Sequence, residues 1–363
     1  MSPLELGFYG IGAVILLIAI RLPIGIVLAL VSFLGIGQLR GLDVAFGLLR
    51  VVPFEFAAHW ALSAIPMFLL MGAVAHHSGI SSALFRAARL WLSGLPGGLA
   101  VASNFACAGF AAASGSSVAT AAAMGRIAIP EMIRQGYDKA LATGTVASAG
   151  TLGSLIPPSI LFVLYGVFAE TSITQLLIAG VFPGLLTAAV YALMIIGRCK
   201  LNPKLAPPTT ITVDRGERWR ALGAVWPLLV LILGIIGGLY GGIVTPTEAG
   251  AFGAFLAFVI AFFQKRLCLK VIKDSVLEAV TSTARIFFVA VGAVMLTKFL
   301  ALTGVPVYLG QLIGDWALDP LLLVIGASLI YLVLGMFLDP LGILLITLPV
   351  LLPMFEALDL DLI

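Results

Sequence analysis

Ala106-Cys107-Ala108-Gly109-Phe110-Ala111-Ala112-Ala113-Ser114-Gly115-Ser116-Ser117-Val118-Ala119-Thr120 is the stretch on which the reading of this chain turns. It is almost all small residues, with hydroxyls crowded around Gly115. Further on, Ala149-Gly150-Thr151-Leu152-Gly153-Ser154-Leu155-Ile156-Pro157-Pro158-Ser159 forms a second polar interruption. Both sit in sequence apolar enough for lipid, where unwound backbone is tolerated only if protein or a watery cavity surrounds it. Two such breaks in succession point to membrane segments interrupted on purpose, the way carriers build an ion and solute site.

Composition agrees. Of 363 residues, 61% are apolar and only 10% charged, against about 25% charged in soluble domains. The mean hydropathy is +1.17. The class is therefore an all-α polytopic membrane protein embedded in a lipid bilayer. A formal charge of +3 gives no reason to expect nucleic acid as a partner. Cys107, Cys199 and Cys268 form no CxxC, so spacing supports neither a disulfide framework nor a metal site. The N-terminus lacks the positive region of a cleavable signal peptide.

Spanning takes about 20 apolar residues, and on that basis the chain divides as follows. Residues 1–60 hold two scaffold helices (5–20 and 23–38) and an amphipathic interfacial arm over 39–60. Residues 61–175 hold a span ending at Ser78-Gly79, an interfacial piece over 80–93, a hairpin over 96–134 and a broken helix over 138–169. Neither hairpin arm reaches spanning length without its polar tip, so a re-entrant hairpin is expected. His76 and His77 fall at an interface. Residues 176–281 are scaffold again, around a loop at 198–220 whose Lys/Arg excess marks it cytoplasmic. Residues 282–363 form a second, incomplete repeat.

The duplication rests on a constant offset. Pro23 and Pro246 are 223 residues apart, and so are Pro130 and Pro353, each eight residues before an aspartate (Asp138, Asp361). The same offset carries Ser116 onto Asp339, in Gly335-Met336-Phe337-Leu338-Asp339-Pro340-Leu341-Gly342. Two repeats of the inverted type used by secondary carriers follow, each with a re-entrant hairpin and a broken helix, the second tip lying near 339. The counterpart of Gly150–Ser159 would fall past Ile363, so the repeat predicts that the natural chain continues.

The candidate site residues are Ser114, Gly115, Ser116, Ser117, Gly150, Thr151, Ser154, Pro157 and Asp339. Freed carbonyls and hydroxyls at the first tip offer hard oxygens for a sodium ion, while the restarting helix aims N–H groups at an anionic solute. Close helix packing by small residues is the plainer alternative. At the second break the proline pair removes two donors, Gly150 and Gly153 permit positive φ, and Thr151 and Ser154 supply oxygens. Asp339 is an acid in apolar sequence, either a functional charge or an N-cap. Thr245-Pro246-Thr247-Glu248 reads as a capping box.

Taken with Ile65-Pro66-Met67-Phe68, Gly136-Tyr137-Asp138 and Thr245-Pro246-Thr247-Glu248-Ala249-Gly250, the two tip cassettes resemble the large membrane subunit of tripartite ATP-independent periplasmic (TRAP) transporters. The likeness runs from the first helix to residue 363. It implies a sodium-coupled importer of an organic acid, a carboxylate, in the bacterial inner membrane. It also implies an elevator-type movement of the two hairpins and two partners: a periplasmic solute-binding protein and a small four-helix membrane subunit. By the same resemblance, the first tip and its neighbouring break form one sodium site and the second tip contributes to another. A divalent-anion/sodium symporter working without a binding protein shares Ser/Thr-rich tips. An intramembrane serine protease would need a histidine facing Ser114, and none lies downstream of His77.

Overall fold

The structure is a computed structural model that describes residues 2–207, 215–315, 320–336, 338–358 and 360–363. Among these every regular element is helical. Helix α1 (Pro3–Ala19) opens on a capping box: Ser2 accepts from the Glu5 N–H and Glu5 accepts from the Ser2 N–H. Arg21, at φ 70°, turns the chain toward Pro23, which caps α2 (Ile24–Arg40). α3 (Leu42–Ala57) follows, then one 3₁₀ turn, α4 (Ala64–His77) and α5 (Ile80–Leu92). Next comes the first helix–break–helix, α6 (Gly98–Ser114) and α7 (Ser117–Arg134). The interrupted helix is α8 (Lys139–Gly150), α9 (Leu152–Leu155) and α10 (Ile160–Phe168).

α11 (Ile173–Ala179) runs into α12 (Val181–Leu201), and beyond the basic segment lie α13 (Arg215–Gly223) and α14 (Trp226–Tyr240). Residues 208–214 of the expected cytoplasmic loop are outside the described residues. The chain closes with α15 (Pro246–Phe263), α16 (Leu269–Thr303), α17 (Val305–Asp315), α18 (Pro320–Gly335) and α19 (Pro340–Ala357). The capping box of Thr245 and Glu248 is present at the start of α15. Among the described residues five helices are long and apolar enough to cross a membrane, or up to seven spans if two bent helix pairs each count as one. The protein is an all-α polytopic membrane protein.

The chain divides into two compact units. One holds Met1–Leu62, Val167–Thr171 and Thr283–Ile363. In it the ring of Phe299 on α16, 1% exposed, fills the space opposite two glycines: a Cβ on Gly10 would sit 2.5 Å from the ring, and one on Gly35 would overlap it. Gly292 of α16 in turn lies against the Gly25 carbonyl of α2. With no hydrophobic drive between helices in lipid, such close backbone approach maximises the van der Waals contact that holds them. Phe56 completes this unit's aromatic cluster with Phe168 and Phe287, at centroid distances of 6.1 and 5.7 Å.

The other unit, Ser63–Gly166 with Ser172–Ser282, carries both polar breaks, at Ser114–Ser117 and at Gly150–Ser159. Here α15 lies along α4, Gly250 against the Ala64 carbonyl and Gly253 against Met71 Sδ. Asn104, fully buried on α6, donates from Nδ2 to the Ala188 carbonyl of α12 over 2.8 Å. The Leu99 N–H bonds Tyr137 Oη at 3.1 Å, and Arg89 of α5 pairs with Glu131 of α7 at 2.7 Å. His77 meets Glu278 at 2.8 Å. The first three of these ties hold the α6–α7 pair against its neighbours.

Because α15 approaches α4 backbone to backbone, Gly250→Val is expected to destabilise the protein by roughly 1–3 kcal/mol, the usual cost of overpacking. Gly237→Val on α14, where a Cβ meets open space, is the control. Thermal unfolding in detergent should show a lowered midpoint for the first and little change for the second.

Candidate functional site

α6 stops at Ser114 because Gly115 takes the left-handed conformation, φ 61°, and its N–H closes back on the Ala111 carbonyl. An L side chain in that region costs about 1–2 kcal/mol. Here space forbids one as well, since a Cβ on Gly115 would lie 2.7 Å from the Pro158 carbonyl oxygen. Ser116 is extended and caps α7, its Oγ accepting from the Ala119 N–H at 3.4 Å. That leaves the N–H groups of Ser117 and Val118 without helical partners. Ser114, 2% exposed, bonds its hydroxyl to that of Thr120 at 2.7 Å, stitching the two sides of the turn.

The second break has a different cause. Pro157 and Pro158 have no N–H to return to the carbonyls of Gly153 and Ser154 four residues earlier, so the helix must end. Ile156 turns extended, the Pro157–Pro158 bond is cis, and the helix resumes at Ile160 bent by 45°. Ser159 repairs part of the loss: its Oγ donates to the Ser154 carbonyl at 2.6 Å.

The structure brings these two breaks together. The Ile160 N–H, first of the resumed helix, donates to the Gly115 carbonyl at 3.1 Å. Gly153 packs against the Ser116 carbonyl and within 2.6 Å, by a notional Cβ, of Thr120 Oγ1. Gly150 faces Ala121 in the same way. The expectation that Gly150 and Gly153 supply positive φ is corrected here, for both are helical. Their lack of a Cβ instead lets α8 and α9 touch the start of α7. From the other side Gly72 of α4 abuts Ser114, a Cβ there standing 2.8 Å from its Cα.

Of the expected residues, Ser114, Gly115, Ser116, Gly150 and the Pro157–Pro158 pair meet in one interlock, with Ser117 on its accessible rim. Thr151 and Ser154 lie on the same broken helix and donate inward, Thr151 Oγ1 to the Ser148 carbonyl at 2.6 Å and Ser154 Oγ to the Thr151 carbonyl at 2.7 Å. A hydroxyl whose proton is spent this way presents only lone pairs outward. The interlock is thus rich in oxygen acceptors and ends in two spare helix N–H groups. Its polar groups carry no formal charge.

Asp339 belongs to the other unit, and there the capping geometry is realised: it is extended and accepts from the Gly342 N–H at 3.3 Å. Thr120, Ser159 and Gly72 complete the interlock although they were not among the candidate site residues. Only the glycine spacing of three between Gly150 and Gly153 could have signalled a helix face pressed against a neighbour.

Helices that stop and restart within apolar sequence, with their loose ends tied to each other, are a build that membrane carriers use. Residues 11–363 match the family model described as "Tripartite ATP-independent periplasmic transporter, DctM component". The chain is 37% identical over 318 residues to the C4-dicarboxylate TRAP transporter large permease protein of Pseudomonas aeruginosa, covering 86% of this chain and 73% of that one. Its Rhodobacter capsulatus counterpart is 32% identical over 96% and 82% of the two chains. The ectoine TRAP transporter large permease protein of Halomonas elongata is 31% identical over 83% and 70%. The chain belongs to the TRAP transporter large permease family. Its relatives are transporter permeases, and it is not an enzyme.

Gly115→Ala combines a strained φ with a clash against backbone, so it should open the interlock. Solute uptake is expected to fall at least tenfold, with protease sensitivity appearing at the Ser114–Ser117 turn. Thr120→Val, which removes one hydroxyl and keeps the volume, should lower the melting point by less than Gly115→Ala does.

Proposed function

We propose that the protein is the large permease of a sodium-coupled secondary transporter that imports an organic acid across the bacterial inner membrane. The observation that carries this reading is the contact of the two breaks. Hydroxyl and carbonyl oxygens from Ser114–Ser117 and Gly150–Ser159 converge where the N-terminus of α7 begins. Sodium prefers such hard, neutral oxygens, and a carboxylate prefers the spare N–H groups at a helix start. Placing both at one interlock links their binding energies: the cation offsets the acid's charge, and each ion raises the site's affinity for the other.

The relatives named for C4-dicarboxylates and ectoine support a carboxylate-bearing solute as the class. A periplasmic solute-binding protein and a small membrane subunit are the partners we infer, on the strength of family membership. Two repeats are supported by paired features at the constant offset. Ser116 and Asp339 are both extended N-caps after a helix break, and Pro130 and Pro353 both lie inside the following helix. We read the Asp339 carboxylate as part of a second cation site and the hairpins as re-entrant elements moving in an elevator-type cycle. Two sodium ions entering with one monovalent acid move one net charge. A potential of about 100 mV supplies roughly 2.3 kcal/mol per charge, on the order of fiftyfold accumulation before the sodium gradient is counted.

Uptake into proteoliposomes holding the full chain, its small subunit and its binding protein should require sodium on the solute side and carry net positive current. Sodium-independent or electroneutral uptake would overturn the reading, and uptake without any binding protein would favour a self-sufficient symporter. Asp339→Asn separates charge from capping, because asparagine caps as well as aspartate does. It should raise the half-saturating sodium concentration several-fold with little change in melting temperature.

A further inference from the structure

Outside the interlock, the paired surface helices α5 and α13 form a site that the transport reading leaves unused. The indole Nε1 of Trp91 on α5 donates to the Arg218 carbonyl of α13 at 3.2 Å, and its ring meets Trp219 edge-on with centroids 5.4 Å apart. Trp91 and Trp219 are nevertheless 43% and 65% exposed. The same two helices carry three arginines, Arg86 on α5 and Arg218 and Arg220 on α13, none of which forms an ion pair among the described residues. The neighbouring Arg89 is different, being neutralised by Glu131 at 2.7 Å. Arg220 spends only its Nε, on the Gly216 carbonyl of its own helix at 3.3 Å. Arg218 Nε is shut away from solvent and bonds to nothing, an unmet donor on a charged group.

The position of α13 says what surrounds it. Only Ala224 and Val225 separate it from the apolar α14, and the two helices bend by 41°. Its last turn therefore lies where hydrocarbon ends. Nine residues rise about 13 Å at 1.5 Å each, enough to carry the helix through a headgroup layer of roughly 5–8 Å per side. Exposed indoles beside unpaired guanidinium groups at that depth match an anionic phospholipid: rings favour the interface, and arginine binds phosphate through two parallel hydrogen bonds.

We propose that the α5–α13 surface is a binding site for the headgroup of an anionic phospholipid, with Arg218 and Arg220 holding the phosphate and Trp91 and Trp219 resting against the glycerol and upper acyl chains. Lipid held there would anchor α13 to α5 and so steady the outer side of the α5–α7 layer, which Arg89 and Glu131 join.

The test uses the full chain purified in mild detergent and offered equimolar phosphatidylglycerol and phosphatidylcholine. Native mass spectrometry should show phosphatidylglycerol retained over phosphatidylcholine, with preference falling about fivefold per arginine in Arg86→Gln, Arg218→Gln and Arg220→Gln. The corresponding lysine variants should keep most of it. In a chain with Trp60→Phe, Trp226→Phe and Trp316→Phe, leaving Trp91 and Trp219 of the five tryptophans, brominated phosphatidylglycerol should quench fluorescence more than brominated phosphatidylcholine. Equal retention of both lipids by the unmodified chain would overturn the proposal, whatever the variants do. So would a preference that survives all three glutamine changes, or indoles that neither lipid quenches because another protein covers them.

Discussion

A backbone group in hydrocarbon has no water to fall back on, and that constraint governs the centre of this protein. Each unpaired N–H or C=O there costs several kcal/mol, so a helix can break inside the apolar layer only if something else completes its hydrogen bonds. What completes them here is a second break. The Gly115 carbonyl, released when α6 turns left-handed, receives the Ile160 N–H, released when the prolines stop α9. Ser159 takes the Ser154 carbonyl, and Ser114 takes Thr120. One bond thus joins the two defects, and the serine hydroxyls make the other repairs within each break.

Glycine does two separate jobs around this point. At Gly115 it permits a backbone conformation that a side chain would strain. At Gly72, Gly150 and Gly153 the backbone is ordinary helix, and the missing Cβ is what matters, because another main chain occupies its place. The same use of missing side chains brings α1 and α2 onto Phe299 in the other unit. Without water to squeeze out, contact area alone must hold membrane helices together, and glycine gives the most of it per crossing.

The hydroxyls follow a related economy. Serine and threonine in these turns donate to nearby carbonyls or to each other, which removes their protons from the site and leaves lone pairs facing outward. Thr151, Ser154 and Ser159 thereby stabilise bent backbone and provide acceptors in one stroke. Ser116 adds a cap, so the positive end of the α7 dipole is held next to those acceptors. The polar groups of the interlock are all neutral, which suits a layer where a formal charge is costly.

Much of this could be read from the chain before any coordinates. Hydropathy fixed the class, because no soluble core tolerates so few charges. Proline pairs and Ser-Gly-Ser turns marked both breaks, since their effect is local: a missing N–H or a left-handed residue ends a helix whatever surrounds it. Capping at Thr245 and Asp339 was equally legible over four residues. What the sequence could not settle was which distant atoms meet. Gly150 and Gly153 read as sources of unusual φ and turned out to be contact faces. Thr120, Gly72 and Ile160 were given no part in the site. An α-helix shows the same local pattern whichever of its faces is pressed against a neighbour. Only tertiary packing could decide that the carbonyl freed by one break would be answered by the N–H freed in the other.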